Sequence, residues 1–386
     1  MKLDGVRVLD LSMFLPGPHL TMMMADHGAD VIKVEPPSGD PPRALGYRTK
    51  DGVSTWFRNT NRGKRSVVLD LKSEAGKAAL FRLIETADVF VEAFRPGVVE
   101  RLGVGPAQAR EINPRLVYVS IAAFGQTGPW TRKPAHDPAI QSLAGTSSLN
   151  LGSDGAPTMM GIAAADAVSS LMSLSAILMA LLRRERTGRG DFVDMSMHDA
   201  LMAWTPNVAG PVFAEDRAPN PKHERTTGGS AFLNYYATKD GKWVCLGGVE
   251  HKFVHNLLTA LERPDLIEAA AGPPGPPQDP VKAFLAETFL TRTRAEWVEW
   301  FEGRDVCFAP VLDLREAFDS EQARAREMRV EDAEGNLHIG VPMKFAEEPG
   351  RVDPSLPGLG EHTEAVLREA GLPEATVADC VKAVPR

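Results

Sequence analysis

Through the first half of the chain, short aliphatic and β-branched runs alternate with stretches whose apolar positions recur at helical spacing. Residues 6–11 (VRVLDL), 30–35 (DVIKVE), 66–71, 89–93 and 116–122 predict strands, and residues 18–26 and 73–86 predict helices. Ser73, three residues before Gly76, is a serviceable N-cap for the second of these. Buried strands alternating with helices predict a parallel α/β sheet. A longer helix follows over residues 163–186; its Arg183-Arg184-Glu185-Arg186 end suits the helix dipole, and Gly188 and Gly190 stop it. Within it, residues 167–182 form the longest apolar stretch, which contains four serines, is too short to span a bilayer and reads as a buried helix.

Beyond it the pattern changes. Residues 206–225 are rich in Pro, Asn and charge and read as a linker. Residues 232–237 and 242–247 predict a hairpin turning at Lys239-Asp240-Gly241. Helices are predicted over 253–261, 281–289 and 294–301 and a strand over 307–314, while GPPGPPQDP at 272–280 predicts a loop.

A chain of 386 residues calls for two domains. A net charge of −8 argues against general binding of nucleic acid or anionic membranes, though not against a local basic pocket. The three cysteines, Cys245, Cys307 and Cys380, form no C-x-x-C and no disulfide framework, and the N-terminus opens on a strand rather than a signal segment. Both features lead us to expect a cytoplasmic protein. After the first strand the chain reads Ser12-Met-Phe-Leu-Pro-Gly-Pro18 rather than G-x-G-x-x-G; no P-loop or G-x-S-x-G elbow occurs, and no histidine spacing fits zinc, so no metal is expected.

Three acidic or imidazole positions stand out. His136 and Asp137 lie in a loop after the strand at 116–122, where ligands bind at the C-terminal edge of a parallel sheet. Asp166 opens the long helix among Ala163–Ala165 and Ala167, small residues that would let a ligand approach closely. Glu250 follows a strand and Gly247-Gly248. Each has a plainer reading, as a surface His-Asp pair, a first-turn carboxylate and an N-terminal cap respectively. Arg58, Arg62, Lys64, Arg65, Lys72, Arg95 and Arg101 cluster around strand ends. They read either as a solvated rim or as a receptor for an anionic group such as a phosphate.

Several segments, in order along nearly the whole chain, resemble the CaiB/BaiF (family III) CoA-transferases. They are GVRVLDLSMFLPGPHLTMMMADHGADVIKVEPP, NRGKRSVVLDLKSEAGK, ADVFVEAFRPGVVERLG, NPRLVYVSIAAFGQTGPW, RTGRGDFVDMSMHDA, HIGVPMKF and PGLGEHTEAVLREAG. The resemblance implies an α/β fold. Its large Rossmann-like, CoA-binding domain has a parallel sheet formed from both chain ends (1–205 and 325–386). A smaller α/β domain (226–324) is inserted after the 206–225 linker, and two copies interlock as a homodimer. It implies an acyl-CoA thioester substrate, with coenzyme A arriving as part of that substrate and no prosthetic group. It also implies CoA contacts at Leu69, Leu71, Lys72, Ala93, Phe94 and Arg101, with Arg95 added from its charge and position; Pro36 stands where racemases carry a basic residue.

Two chemistries occur in such proteins. Transferases use one Asp, here Asp166, as a nucleophile that passes through an anhydride to an aspartyl-CoA thioester, and often carry Tyr at the position of His136. α-Methylacyl-CoA racemases use a His, an Asp and a Glu, which fall here on His136, Asp166 and Glu250. Glu250 would share a proton with Asp166, and N–H groups opening the Asp166 helix would hold the enolate oxygen. The segments Gly228–Tyr236 and Asp305–Leu312 also look racemase-like. The resemblance therefore favours racemisation by 1,1-proton transfer, with CoA transfer to a carboxylate as the alternative.

Overall fold

The computed structural model describes residues 1–152 and 154–385. Arg386, the last residue of the large domain as read from the sequence, lies outside the described residues. The chain divides into two compact units. The first comprises Met1–Ala144, Gly161–Met202 and Phe318–Arg386, and the second Gly145–Met160 and Ala203–Ala317.

The first unit is built on six parallel strands: β1 (Arg7–Asp10), β2 (Asp30–Glu35), β3 (Arg65–Val68), β4 (Val89–Glu92), β5 (Val117–Ala122) and β6 (Phe192–Ser196). Their order is β3-β2-β1-β4-β5-β6, the doubly wound arrangement in which the strand order reverses beside β1. The register is continuous, with Val8 opposite both Val31 and Val89. Alternate residues feed two cores. Leu9, Ile32, Val67, Phe90 and Tyr118 face one side, and Val8, Val31, Val89, Val91, Val117 and Val119 the other. Both faces are therefore covered, as continuous apolar strands require.

Against the first core lie the helices Glu74–Ile84, Thr363–Glu369 and Glu374–Lys382, through Leu80, Leu83, Val366, Leu367, Val377 and Cys380. The sheet is not formed from both chain ends as expected: every strand comes from the first 196 residues, and the C-terminal segment joins this unit through helices packed on its core. Ser73 does cap its helix, its hydroxyl accepting the Gly76 N–H at 3.0 Å. The second core is covered by the helices Pro16–Asp26 and Ala164–Thr187.

The long helix departs from the sequence reading. Only its inner face is buried, through Ala165, Val168, Ser169, Ser173 and Ile177, whereas Leu171, Leu178, Met179 and Leu182 are exposed. At 24 residues it is also long and apolar enough, by length and composition alone, to cross a membrane, which the shorter run read from the sequence was not. Strand β6 had no signal of its own, because its residues are only half-buried and include Asp194.

The second unit holds an antiparallel sheet, β7 (Leu233–Ala237), β8 (Trp243–Gly247) and β9 (Phe308–Pro310), in that order. Its core gathers Phe232, Tyr236, Val244, Leu246, Leu257, Leu285, Phe289, Trp297 and Phe301. The hairpin turns at Gly241, with φ +72°. The expected strand at 307–314 is shorter, because a helix begins at Leu314. Within the expected loop at 272–280, Pro276–Gln278 forms a 3-10 turn and a helix starts at Asp279. The stretch 206–225 carries a short helix, Gly210–Glu215.

Candidate active site

At the C-terminal ends of β1, β4 and β5 lies a cleft of about 440 Å³. Its walls include Phe14, Ala93, Phe94, Arg95, Lys133, His136, Asp137, Asp166 and Met197. His136 and Asp166, 30 positions apart in sequence, therefore line one cavity of the first unit. His136 sits at the N-cap of helix Asp137–Leu143 without capping it. Asp166 lies in the first turn of Ala164–Thr187.

Between them, Asp137 ties the two helices together: one carboxylate oxygen accepts the Ala165 N–H at 2.7 Å and the other accepts from Gln141 Nε2 at 2.5 Å. Burial, with the Asp137 carboxylate adding to it, pushes the Asp166 carboxyl up from 3.8 to about 7. Within its own unit, then, the acid that adds to the lift of Asp166 is Asp137, which sequence reasoning read only as the partner of His136. Asp137 also occupies one of the N–H groups expected to receive an enolate oxygen, that of Ala165.

Glu250 belongs to the second unit and is exposed at the N-cap of helix His251–Ala260. Its side chain caps nothing, contrary to the plainer reading, while its backbone carbonyl accepts the Phe253 and Val254 N–H groups. A Cβ at Gly248 would come within 2.8 Å of the Glu250 carboxylate and 2.7 Å of the Phe253 ring, so that position is closed to any larger residue.

A second cavity, of about 160 Å³, lies beside the first and is lined by Leu11, Val34, Pro36, Pro37, Leu69, Leu71, Lys72 and Leu102 among others. Met13 and Phe94 line both cavities. Of the positions expected to contact CoA, Leu69, Leu71, Lys72 and Phe94 line the smaller cavity, and Ala93, Phe94 and Arg95 the larger. Arg101 is exposed at the end of helix Val98–Leu102 and lines neither.

The remaining basic residues, Arg58, Arg62, Lys64 and Arg65, are all held in ion pairs. Arg62 is buried and pairs with Asp26 at 2.7 Å, and Arg58 is buried between Asp51 and Asp332. Arg65 bridges Asp30 and Glu369, each at 2.7 Å. Lys64, fully buried, donates to Asp10 at 3.0 Å, to the Pro18 carbonyl and to Asn61. Asp10 also accepts from the Ser12 N–H and from the Thr21 hydroxyl. Burial works against its charge, but Lys64 and Lys33 outweigh it and hold Asp10 well below the usual carboxylate range. Lys33 completes the set, reaching Asp40 at 2.8 Å and the Ser12 carbonyl at 3.1 Å. These charges lie under the loop that carries Met13 and Phe14 into the cleft.

Glu92, at the end of β4, is buried and accepts the Phe94 N–H at 2.8 Å. Burial raises its carboxyl from 4.5 to about 7. Nothing in the sequence around it signals this.

A doubly wound sheet with a cleft at its switch point, edged by an imidazole and a carboxyl raised toward neutrality, defines an α/β enzyme of proton or acyl chemistry. The CoA-transferase family III model matches residues 3–363, and the chain belongs to that family, enzymes that act on acyl-CoA. It is 34% identical to the acetyl-CoA:oxalate CoA-transferase of Acetobacter aceti, over 96% of each chain. It is 32% identical to the alpha-methylacyl-CoA racemase of Mus musculus, over 98% of this chain and 95% of that one. A crystal structure of a CaiB/BaiF family protein from Brucella suis superposes with a TM-score of 0.81 at 29% identity, covering 95% of this chain and 98% of that one.

Proposed function

We propose that the protein is an α-methylacyl-CoA racemase or epimerase. The observation that carries this reading is the pairing, on one cleft, of His136 with an Asp166 carboxyl whose proton is held to about pH 7. The proton next to a thioester carbonyl is weakly acidic. Its removal and return need two groups that can each be base or acid near neutral pH. In one direction Asp166 takes the α-proton: the C–H bond breaks, an O–H bond forms, and the electron pair moves onto the thioester oxygen as an enolate. His136, as imidazolium, then delivers a proton to the same carbon from the other side. The reverse direction exchanges the roles.

The apolar part of the cleft, with Ile121, Ile140 and Met197, suits a branched acyl group. The neighbouring cavity at Leu69, Leu71 and Lys72 is where we place part of the CoA moiety. Glu250 is proposed as a third acid, and no prosthetic group enters the scheme. We further propose that the working form is a homodimer in the cytoplasm. Its support is the exposed apolar face of Leu171, Leu178, Met179 and Leu182, together with three free cysteines.

The test is α-proton exchange: a 2-methylacyl-CoA incubated in deuterium oxide with enzyme and no second acid should gain deuterium at the α-carbon. A specific observation also favours CoA transfer to a carboxylate, because the oxalate CoA-transferase relative is as similar as the racemase. That reading makes Asp166 a nucleophile. It predicts no exchange, strict dependence on an acceptor acid and trapping of an Asp166 adduct by hydroxylamine.

A further inference from the structure

Phe14 holds a backbone conformation that a phenylalanine adopts only when its surroundings impose it, with φ at +67°. The surroundings do impose it. The Phe14 N–H donates to Asp40 Oδ1 at 3.2 Å, and Asp40 is buried and paired with Lys33 at 2.8 Å. Two residues earlier, the Ser12 N–H is held by Asp10 at 2.9 Å and the Ser12 carbonyl by Lys33 at 3.1 Å. Three residues later, Gly17 lies so close to Ser12 that a Cβ there would come within 2.2 Å of its side chain. Buried ion pairs therefore fasten the loop at Ser12, at Phe14 itself and, through the Lys64 contact to the Pro18 carbonyl, beyond it.

The strained backbone places the Phe14 ring on the wall of the cleft, 6.2 Å from the His136 ring at an interplanar angle of 77° and 6.5 Å from Trp56. An imidazole that moves protons is ordinarily oriented by a hydrogen bond to its second nitrogen. Among the described residues no hydrogen bond reaches either nitrogen of His136, and Phe14 is the aromatic ring packed against it.

We propose that Phe14 is a positioning residue, held in a left-handed conformation by the Lys33–Asp40 pair so that its ring fixes the orientation of the His136 imidazole. This rests on the reading of His136 as an acid–base group. Backbone strain of this kind is maintained where geometry at a reacting group matters, and an imidazole free to rotate spends less time in line with the α-carbon.

The experiment compares wild type, Phe14→Leu and Phe14→Tyr. Two readouts are used: α-proton exchange of a 2-methylacyl-CoA, and NMR of enzyme carrying 13Cε1-labelled histidine, with the His136 signal identified by its loss in His136→Gln. Phe14→Leu keeps an apolar side chain but removes the ring. It is expected to lower kcat by about tenfold or more with KM within about twofold, and to shift and narrow the His136 signal as the ring gains motion. Phe14→Tyr restores both. A His136 signal in Phe14→Leu that superimposes on wild type overturns the proposal, whatever turnover does. So does a kcat loss matched by an equal rise in KM with the signal unmoved. Failure of the acid–base reading shows separately, as absence of exchange in the wild-type enzyme.

Discussion

Asp10 and Asp166 are two carboxylates of the same unit that the fold treats in opposite ways. Asp10 is fully buried yet surrounded by Lys64, the Ser12 N–H and hydroxyl, and the Thr21 hydroxyl, so it stays ionised far below neutrality. Asp166 is less buried, but its carboxyl receives no hydrogen bond among the described residues and faces Asp137, so it keeps its proton to about pH 7. A charge that serves the scaffold is saturated with partners. One that serves chemistry is left short of them, because only an unsaturated group can exchange a proton near neutral pH.

The comparison breaks first at Asp166 itself. Asp166→Asn should abolish exchange, with a loss of about 10³-fold or more in kcat, while the urea midpoint of unfolding stays at or above that of wild type. Asp10→Asn should do the reverse. Removing one partner of a buried ion pair leaves Lys64 uncompensated, while Lys33 keeps Asp40, and we expect a loss of about 3–5 kcal/mol in urea unfolding, with chemistry impaired only as far as the fold is.

A smaller effect is expected on pH dependence. Asp137→Asn removes the like charge beside Asp166 while leaving an oxygen for the Ala165 N–H, so the Asp166 carboxyl should titrate lower. The acidic limb of the exchange-rate profile should then move to lower pH.

Smallest is the pH dependence of stability at Glu92. Its carboxyl is raised in the folded state to about 7 from 4.5. The stabilisation it contributes is therefore complete below pH 4.5 and is lost as pH rises through about 7. Glu92→Gln, which keeps an oxygen for the Phe94 N–H, should lack that loss, so its Tm should gain on wild type as pH is raised from 5 to 9.

The contrast between these groups also explains what the sequence could reveal. Strands β4 and β5 are apolar at all but one residue each, and β1 and β2 set Val, Leu and Ile among charged residues in the same alternation with helices, whereas β6 carries Asp194 on the sheet edge and does not stand out. His136, Asp166 and Glu250 stood out because each follows or opens an element at a place where ligands gather. The basic cluster misled because its partners are remote in sequence: Lys64 pairs with Asp10, Arg62 with Asp26, and Arg58 with Asp332. Nothing local distinguishes a lysine destined for a buried pair from one on a rim. Asp137 was in plain view beside His136, but its influence on Asp166 depends on two helix N-termini meeting in space. The left-handed Phe14 had no signal at all, since no residue type marks it in advance.

The proton held by Asp166 sets the chemistry of the cleft. Carboxyl 13C NMR of enzyme with labelled aspartate, titrated from pH 4 to 9 and compared with Asp166→Asn, would isolate its signal. A midpoint near 7 is the predicted result. A midpoint near 4, the value of an ordinary aspartate, would contradict the claim that Asp166 is poised for proton transfer.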